Sequence, residues 1–343
     1  MNVYKFDVVI VGGGFGGIKC ADVLKDSSFK VALIEKKKEF GEKVCAGGIT
    51  LEDLKYIPSK LINFPFKKIF FFFKNKKVPF PKEGEIISSI ERKEVAKEYI
   101  KKIERSQNVE LLPNTFAEEV EDRNTLKLKS GKRIKFKYLV GADGVLSIVR
   151  RYLRIPKKRI FSTLQYKIPK EMKDFEVYLD SKLFGTGYLW IFPHKGYTFV
   201  GCGTEFNKIH LKKLKKTLDT WIIKKEIYSK ISHLKPESFL INADYRGYRF
   251  GNIFLAGDAA GLACGITGKG IYPALLSGEQ IGLEILGVKK KENLIYSWLK
   301  KKRQQEKFLI FLKNPWIREI FYTIVLKLLL YKNFSEKMKE FLT

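Results

Sequence analysis

The feature that most constrains this chain is a run near its start, "KFDVVIVGGGFGGIKCADVL", in which apolar residues stop against five glycines in six positions. Residues 5–11 form a short stretch rich in valine, the pattern of a strand buried on both faces of a parallel sheet. Gly12, Gly14 and Gly17 then follow at G-x-G-x-x-G spacing, and helical periodicity resumes over 18–24. A second apolar run, "KVALIE", ends at Glu35 about twenty residues beyond the glycines, the usual distance for an acid at the end of the second strand. Each part has a physical task. Gly12 makes the tight turn, Gly14 removes a side chain where a pyrophosphate must approach, and Gly17 lets the helix pack on the strand. The helix N-terminus offers unpaired N–H groups to phosphates, and Glu35 accepts from ribose hydroxyls. Strand, helix, second strand and acid in register predict a dinucleotide site at the head of an α/β domain.

Two later stretches repeat the motif of a strand running into small residues. "KYLVGADGVLSIVR" turns at Asp143 and Gly144, and "NIFLAGDAAGLACGITGKGI" turns at Gly257 and Asp258 before a helix. They resemble the DG and GD motifs of the flavoprotein class that includes p-hydroxybenzoate hydroxylase. That resemblance implies FAD rather than NAD, with Asp258 on the ribityl chain and the Gly268, Gly270 and Ile271 helix start facing the flavin pyrimidine. A helix N-terminus there stabilises the reduced, anionic flavin. Arg92 opens the helical segment "RKEVAKEYIKKI", where the class often has an arginine that reaches the cofactor phosphates; a surface arginine is the alternative.

"EKVCAGGIT" holds Lys43, Cys45, Gly47 and Gly48, and "YLWIFPHKGYTFVGCG" holds Tyr188, Trp190, Phe192 and Pro193, seven residues before Gly201. These resemble the K-x-C-G-G-G and Y-x-W-x-F-P…G-x-G motifs of the geranylgeranyl reductase family, and the likeness covers about residues 5–285. It implies an FAD enzyme that saturates carbon–carbon double bonds of long isoprenoid chains. Cys45 would lie at the flavin as the catalytic candidate, with Gly47, Gly48, Tyr188, Trp190, Phe192 and Pro193 on the substrate side. Two positions depart from the pattern: Ala46 replaces a glycine, and Lys269 stands where an acid is common, adding positive charge near the reduced flavin.

Read without the family, Tyr188, Trp190 and Phe192 alternate along a strand and share one face, which Pro193 is expected to end. Such a face is core in many proteins; beside a flavin it serves as a substrate wall. Cys45 alone reads equally well as a small buried hydrophobe. No carboxylate stands out as a proton donor, which leaves Cys45 or water. The three histidines show no metal-ligand spacing, so no metal is expected.

The expected fold class is α/β: a Rossmann-type FAD-binding domain over 1–58, 91–158 and 241–286, an interleaved antiparallel substrate-binding sheet over 60–90 and 159–240, and a helical tail over 287–343. The tail stretch "NPWIREIFYTIVLKLLLYKNF" suits an interfacial helix or one docked on the enzyme's own core.

Charge bears on partners. With 66 Lys+Arg against 37 Asp+Glu, the net charge is +29 over 343 residues. The lysines are spread along the chain, as on a solvated surface, yet this balance also suits an acidic electron carrier or an anionic membrane. No nucleic-acid motif accompanies it. Four cysteines without a CxxC pair fit a reducing cytoplasm, and no signal peptide is read before the first strand. Lys327 divides the most apolar late stretch, so a soluble or peripheral protein is expected, cytoplasmic or at the inner face of the cell membrane. With one dinucleotide turn, taken by FAD, the external reductant is a transient NAD(P)H or a ferredoxin-like carrier. The alternatives are a monooxygenase or halogenase of the same fold and a non-catalytic basic flavin-binding protein.

Overall fold

A computed structural model describes residues 3–80, 87–206 and 208–342. Residues 81–86 of the expected 60–90 segment lie outside the described residues.

Five parallel strands form the centre of an eight-stranded sheet, in the order Ile253–Leu255, Arg133–Gly141, Val3–Val11, Val31–Ile34 and Val109–Leu112. Val8, Val9 and Ile10 have no accessible surface, the two-sided burial of a central parallel strand. The helices Phe15–Leu24 and Ile271–Ile285 cross where side chains are missing: a Cβ on Gly278 would lie 2.2 Å from the Gly16 carbonyl oxygen, and one on Gly282 2.8 Å from Val23. This brings the starts of both helices to the same edge of the sheet.

A seven-stranded sheet carries the other half, in the order Glu237–Asn242, Ile160–Ile168, Tyr197–Glu205, Tyr188–His194, Phe175–Leu179, Ile69–Phe73 and Lys76–Phe80. It is antiparallel except where Phe175–Leu179 runs parallel to Ile69–Phe73, since the two reach the sheet through separate crossovers. Alternation divides its faces. Leu189 and Ile191 pack with Val200, Leu214, Leu218 and Ile222 under the helix Leu211–Lys224. Tyr188, Trp190 and Phe192 face the opposite cluster, which contains Leu312, Tyr322 and Leu326 of the C-terminal helices.

Two local expectations need adjustment. Among the described residues of the 60–90 segment, only the hairpin Ile69–Phe73/Lys76–Phe80 joins the large sheet. Ile62–Phe66 and Ile87–Ile90 instead form a small antiparallel sheet with Gly48–Thr50, tying the Cys45 loop to the start of helix Arg92–Ile103. Pro193 does not end its strand, which continues through His194. The neighbouring strand Phe175–Leu179 pairs only with 189–191, so no partner on that side needs the N–H that proline lacks.

The tail folds into helices Leu294–Leu312, Pro315–Leu328 and Lys332–Leu342. Asn293 and Asn314 cap the first two by accepting from backbone N–H groups, and Pro315 occupies the first turn, where its missing donor costs nothing. Among the described residues no helix is long and apolar enough to cross a membrane.

Candidate active site

A cavity of about 440 Å³ runs between the two sheets. At its first end the wall is backbone. Gly12 has φ +108, and a Cβ there would meet the Ala142 carbonyl oxygen at 2.4 Å; a Cβ on Gly17 would lie 2.0 Å from the Gly12 carbonyl oxygen. Both glycines are packing positions beneath the turn. A Cβ on Gly14 meets nothing within 4 Å, because that position opens into the cavity at the N-cap of helix Phe15–Leu24. Glu35 accepts from Gly13 N at 2.7 Å and Lys37 N at 2.9 Å, bracing the turn. A carboxylate has about four acceptor sites, so capacity for a ribose hydroxyl remains.

The middle of the cavity collects charge. Lys43 Nζ lies 2.7 Å from Asp258 Oδ2, which pairs the Cys45 loop with the turn after the last parallel strand. The Arg92 guanidinium sits 4.1 Å over the Phe15 ring, and its buried Nε has no hydrogen-bond partner. Burial lowers its pKa, while Cys45 and Asp258 oppose that shift. Gly144 (φ +77) lines the cavity, whereas Asp143 turns away and caps a short helix by accepting from Ile148 N at 2.7 Å. Its other oxygen is buried and unpartnered, and burial raises its pKa.

Cys45, Ala46 and Gly48 line the same wall. Cys45 Sγ accepts from Gly47 N at 3.3 Å. Gly47 (φ +77) is a packing position, its Cβ direction blocked by the Ile90 carbonyl oxygen at 2.4 Å, and a Cβ on Gly48 would touch Phe192 at 3.0 Å. The loop is pinned from behind by His194, whose Nε2 donates to the Ala46 carbonyl at 2.9 Å. His194 Nδ1 lies 3.1 Å from Tyr197 Oη, and Tyr197 hydrogen-bonds Glu91. Hydrogen bonding to His194 and Tyr197 holds the Glu91 carboxyl down at about 2.

Across the cavity, Cys264–Gly268 closes on itself through a Gly268 N to Cys264 O bond, and Tyr188 Oη donates to the Thr267 carbonyl at 2.8 Å. Gly268 (φ +69), Gly270 and Ile271 bring the start of helix Ile271–Ile285 to the wall. Lys269 lines it too, but its charge is engaged: Nζ is 2.6 Å from Glu52, which also pairs with Lys301 at 2.8 Å. The Lys269 charge is thus held by Glu52, an acid it shares with Lys301, rather than standing alone.

The far end is built from side chains. Tyr188 pairs across strands with Gly203 and Trp190 with Gly201, and the Trp190 ring lies over both glycines, 3.6 Å from where a Cβ on Gly203 would stand. A Cβ on Gly201 would meet the indole at 2.5 Å. This is the physical basis of the aromatic strand followed by G-x-G. Trp190 Nε1 is buried without a partner. Beyond it the wall is Phe71, Phe80, Phe175, Val177 and Phe192 from the sheets, with Leu309, Leu312, Phe321 and Tyr322 from the C-terminal helices. Of the expected site residues, Gly12, Gly17, Glu35, Asp143, Gly47 and Pro193 do not line this cavity.

Sequence reasoning missed Asp53. It is 1% exposed and borders the cavity, with Oδ2 accepting from Thr50 N and Oγ1 in a capping box and Oδ1 unpartnered. Burial pushes its pKa up to about 6, against the pull of Lys269 and Thr50. The T-x-x-D spacing was legible only as a helix cap. The open Gly14 position and the orphaned Arg92 nitrogen, both lining this cavity, fit a flavin dinucleotide.

Comparisons with known proteins bear on this geometry. An FAD binding domain family matches residues 92–276, and a second FAD binding domain family matches 7–51. The chain is 28% identical, over 98% of its length and 88% of the other, to the digeranylgeranylglycerophospholipid reductase of Methanocaldococcus jannaschii. A geranylgeranyl bacteriochlorophyll reductase-like protein of Thermoplasma acidophilum superposes with a TM-score of 0.73 at 22% identity, covering 99% of this chain and 91% of that one. A probable FAD-dependent monooxygenase of Pseudomonas aeruginosa, PqsL, superposes at 0.63 with 16% identity, over 90% and 94% of the two chains, a likeness of fold alone.

Proposed function

This chain belongs to the FAD binding domain family, and from that premise we propose that it saturates carbon–carbon double bonds of long isoprenoid chains with hydride from reduced FAD. The observation that carries the reading is one unbroken cavity that begins at a phosphate-type glycine turn and ends in an apolar aromatic chamber. Relatives named as reductases of geranylgeranyl lipids support the same substrate class.

Gly14 and the free N–H groups of helix Phe15–Leu24 would hold the pyrophosphate, with Arg92 beside it and Glu35 on the ribose. Asp258, oriented by Lys43, would take the ribityl hydroxyls, and the Gly268, Gly270 and Ile271 helix start would face the pyrimidine. FAD, when bound there and reduced, would supply the hydride. An isolated alkene accepts hydride poorly, so a proton must reach its other carbon as positive charge develops. Tyr188 and Trp190 offer ring faces to that charge, and the apolar wall excludes water. Asp53, whose carboxyl burial raises to about 6, would be the proton donor within this site, its unpartnered Oδ1 carrying the proton in the protonated fraction. Cys45 borders the same space and tunes the geometry of the loop.

The reductant visits transiently, as NAD(P)H or as an acidic ferredoxin-like carrier drawn by the +29 charge. A prenylated lipid substrate would bring the enzyme to the inner face of the cell membrane. The monooxygenase reading needs polar groups for a small substrate, which an aromatic and aliphatic chamber disfavours. The test is anaerobic: photoreduced holoenzyme is mixed with a geranylgeranyl ether lipid. Flavin reoxidation with hydrogenated product supports the proposal, whereas product only when oxygen is admitted would refute it.

A further inference from the structure

The helix Leu294–Leu312 has two unlike faces. Trp298, Leu299, Lys302, Gln305, Leu309 and Leu312 are buried against the protein. Tyr296, Lys300, Arg303, Lys307 and Ile310 recur at steps of four and three and lie along one outer stripe, all exposed. Among the described residues, none of these three basic side chains forms an ion pair, whereas the neighbouring Lys301 and Lys302 pair with Glu52 and Glu306. The stripe thus presents three uncompensated positive charges in a row.

Past Ile310 the surface becomes apolar. Phe311 is 64% exposed and Trp316 81%. On helix Pro315–Leu328, Ile320 and Ile324 follow Trp316 at steps of four on the outer side, at 59% and 50%, while Arg318, Tyr322 and Leu326 point inward. Leaving so many large apolar side chains in water is costly, and their exposure along two consecutive helices marks an interaction surface. From the basic row beside this apolar row we infer that these two helices form a docking face for an anionic lipid bilayer. Lys300, Arg303 and Lys307 meet headgroup phosphates, and Phe311, Trp316, Ile320 and Ile324 enter the acyl boundary. A second copy of the chain is disfavoured as the occupant, because a two-fold contact would set the basic stripe of one +29 chain near that of another.

The inference deepens the proposed function and rests on it for why a bilayer is visited. The inner faces of the same helices supply Leu309, Leu312, Phe321 and Tyr322 to the cavity. A chain leaving the bilayer therefore crosses about one helix diameter, ~10 Å, to reach the aromatic wall.

The test uses FAD-loaded protein and vesicles of saturated phosphatidylcholine with or without phosphatidylglycerol, so no reducible chain is present. The expected result is flotation with the anionic vesicles at low salt, weakening as salt rises. Combined Lys300→Glu, Arg303→Glu and Lys307→Glu should lower the affinity on the order of 100-fold. Combined Trp316→Ser and Ile320→Ser should lower it about tenfold or more, with the flavin spectrum of both variants unchanged as the check on folding. Failure of the wild type to float, or equal flotation of all forms, overturns the inference. So does a lipid-free dimer that the Trp316→Ser and Ile320→Ser variant dissociates. A protein that does not float yet hydrogenates a dispersed prenyl diphosphate would lose this docking face and keep its proposed reaction.

Discussion

The two ends of the cavity are made of different material. At the Gly14 end, the shape is set by side chains that are absent: Gly12 and Gly17 are closed against carbonyl oxygens, and Gly14 opens into the space. At the Trp190 end, the shape is set by large side chains drawn from the seven-stranded sheet and the C-terminal helices. Where a glycine is closed against a carbonyl oxygen, as at Gly12 and Gly17, almost no substitution is tolerated, because that oxygen cannot move aside. An end built from side chains can repack, since apolar residues exchange volume at modest cost. The first end therefore suits an invariant group such as a pyrophosphate, and the second a flexible chain of adjustable length.

The sharpest break in this comparison comes from two glycines three residues apart. Gly17→Val forces a side chain into the Gly12 carbonyl and should leave little folded protein, a loss of about 3 kcal/mol or more. Gly14→Val projects into open space and should fold normally by circular dichroism, yet purify without yellow colour. If both variants bind flavin as the parent does, the first end is misassigned.

At the far end, Leu312→Trp should leave flavin content unchanged and lower turnover of long prenyl chains by about tenfold. Shorter chains should be affected less, because they need not reach the C-terminal helices. An equal loss for all lengths would mean that the chamber does not hold the chain.

Asp53 lies between the two ends, and its effect depends on pH. Its folded-state pKa is raised from the ordinary carboxyl value to about 6, so the ionised form is the disfavoured one. Stability tied to the protonated carboxyl is complete below pH ~4 and is lost as pH rises through ~6, a cost on the order of 3 kcal/mol. Asp53→Asn keeps an oxygen for the Thr50 cap and should flatten that stretch of the stability profile. It should also remove the limb of the rate profile near pH ~6; an unchanged rate profile would leave Asp53 a cap only.

The smallest effect is expected at Cys45. Cys45→Ser should retain flavin and alter the rate by a few-fold, on the order of 1 kcal/mol, or alter the number of bonds reduced. Identical turnover and product pattern would make Cys45 a packing residue.

What the sequence could convey follows the same division. The glycine turn was legible because each missing side chain answers a backbone constraint that recurs at fixed spacing. The aromatic strand was legible through its alternation, and its pairing with Gly201 and Gly203 gives the motif its reason. The Lys43–Asp258 pair was not, since its members stand 215 positions apart and only the fold joins them. Lys269 showed its sign but not its partner Glu52. Pro193 obeyed a local rule that the sheet overrode, because no neighbouring strand asks for its N–H. The C-terminal helices read as apolar, and only their packing shows that Leu312 and Tyr322 face the cavity while Trp316 faces outward.

The central claim is that one cavity joins a flavin end to a prenyl end, and a crystal structure with FAD and a saturated prenyl ether lipid tests it most directly. The account predicts pyrophosphate density at Gly14, the flavin ring between the Cys45 loop and the Gly268, Gly270 and Ile271 helix start, and chain density running past Trp190 toward Leu312 and Phe321. A flavin ring outside this cavity, or a chain bound elsewhere with the chamber filled only by water, would contradict it.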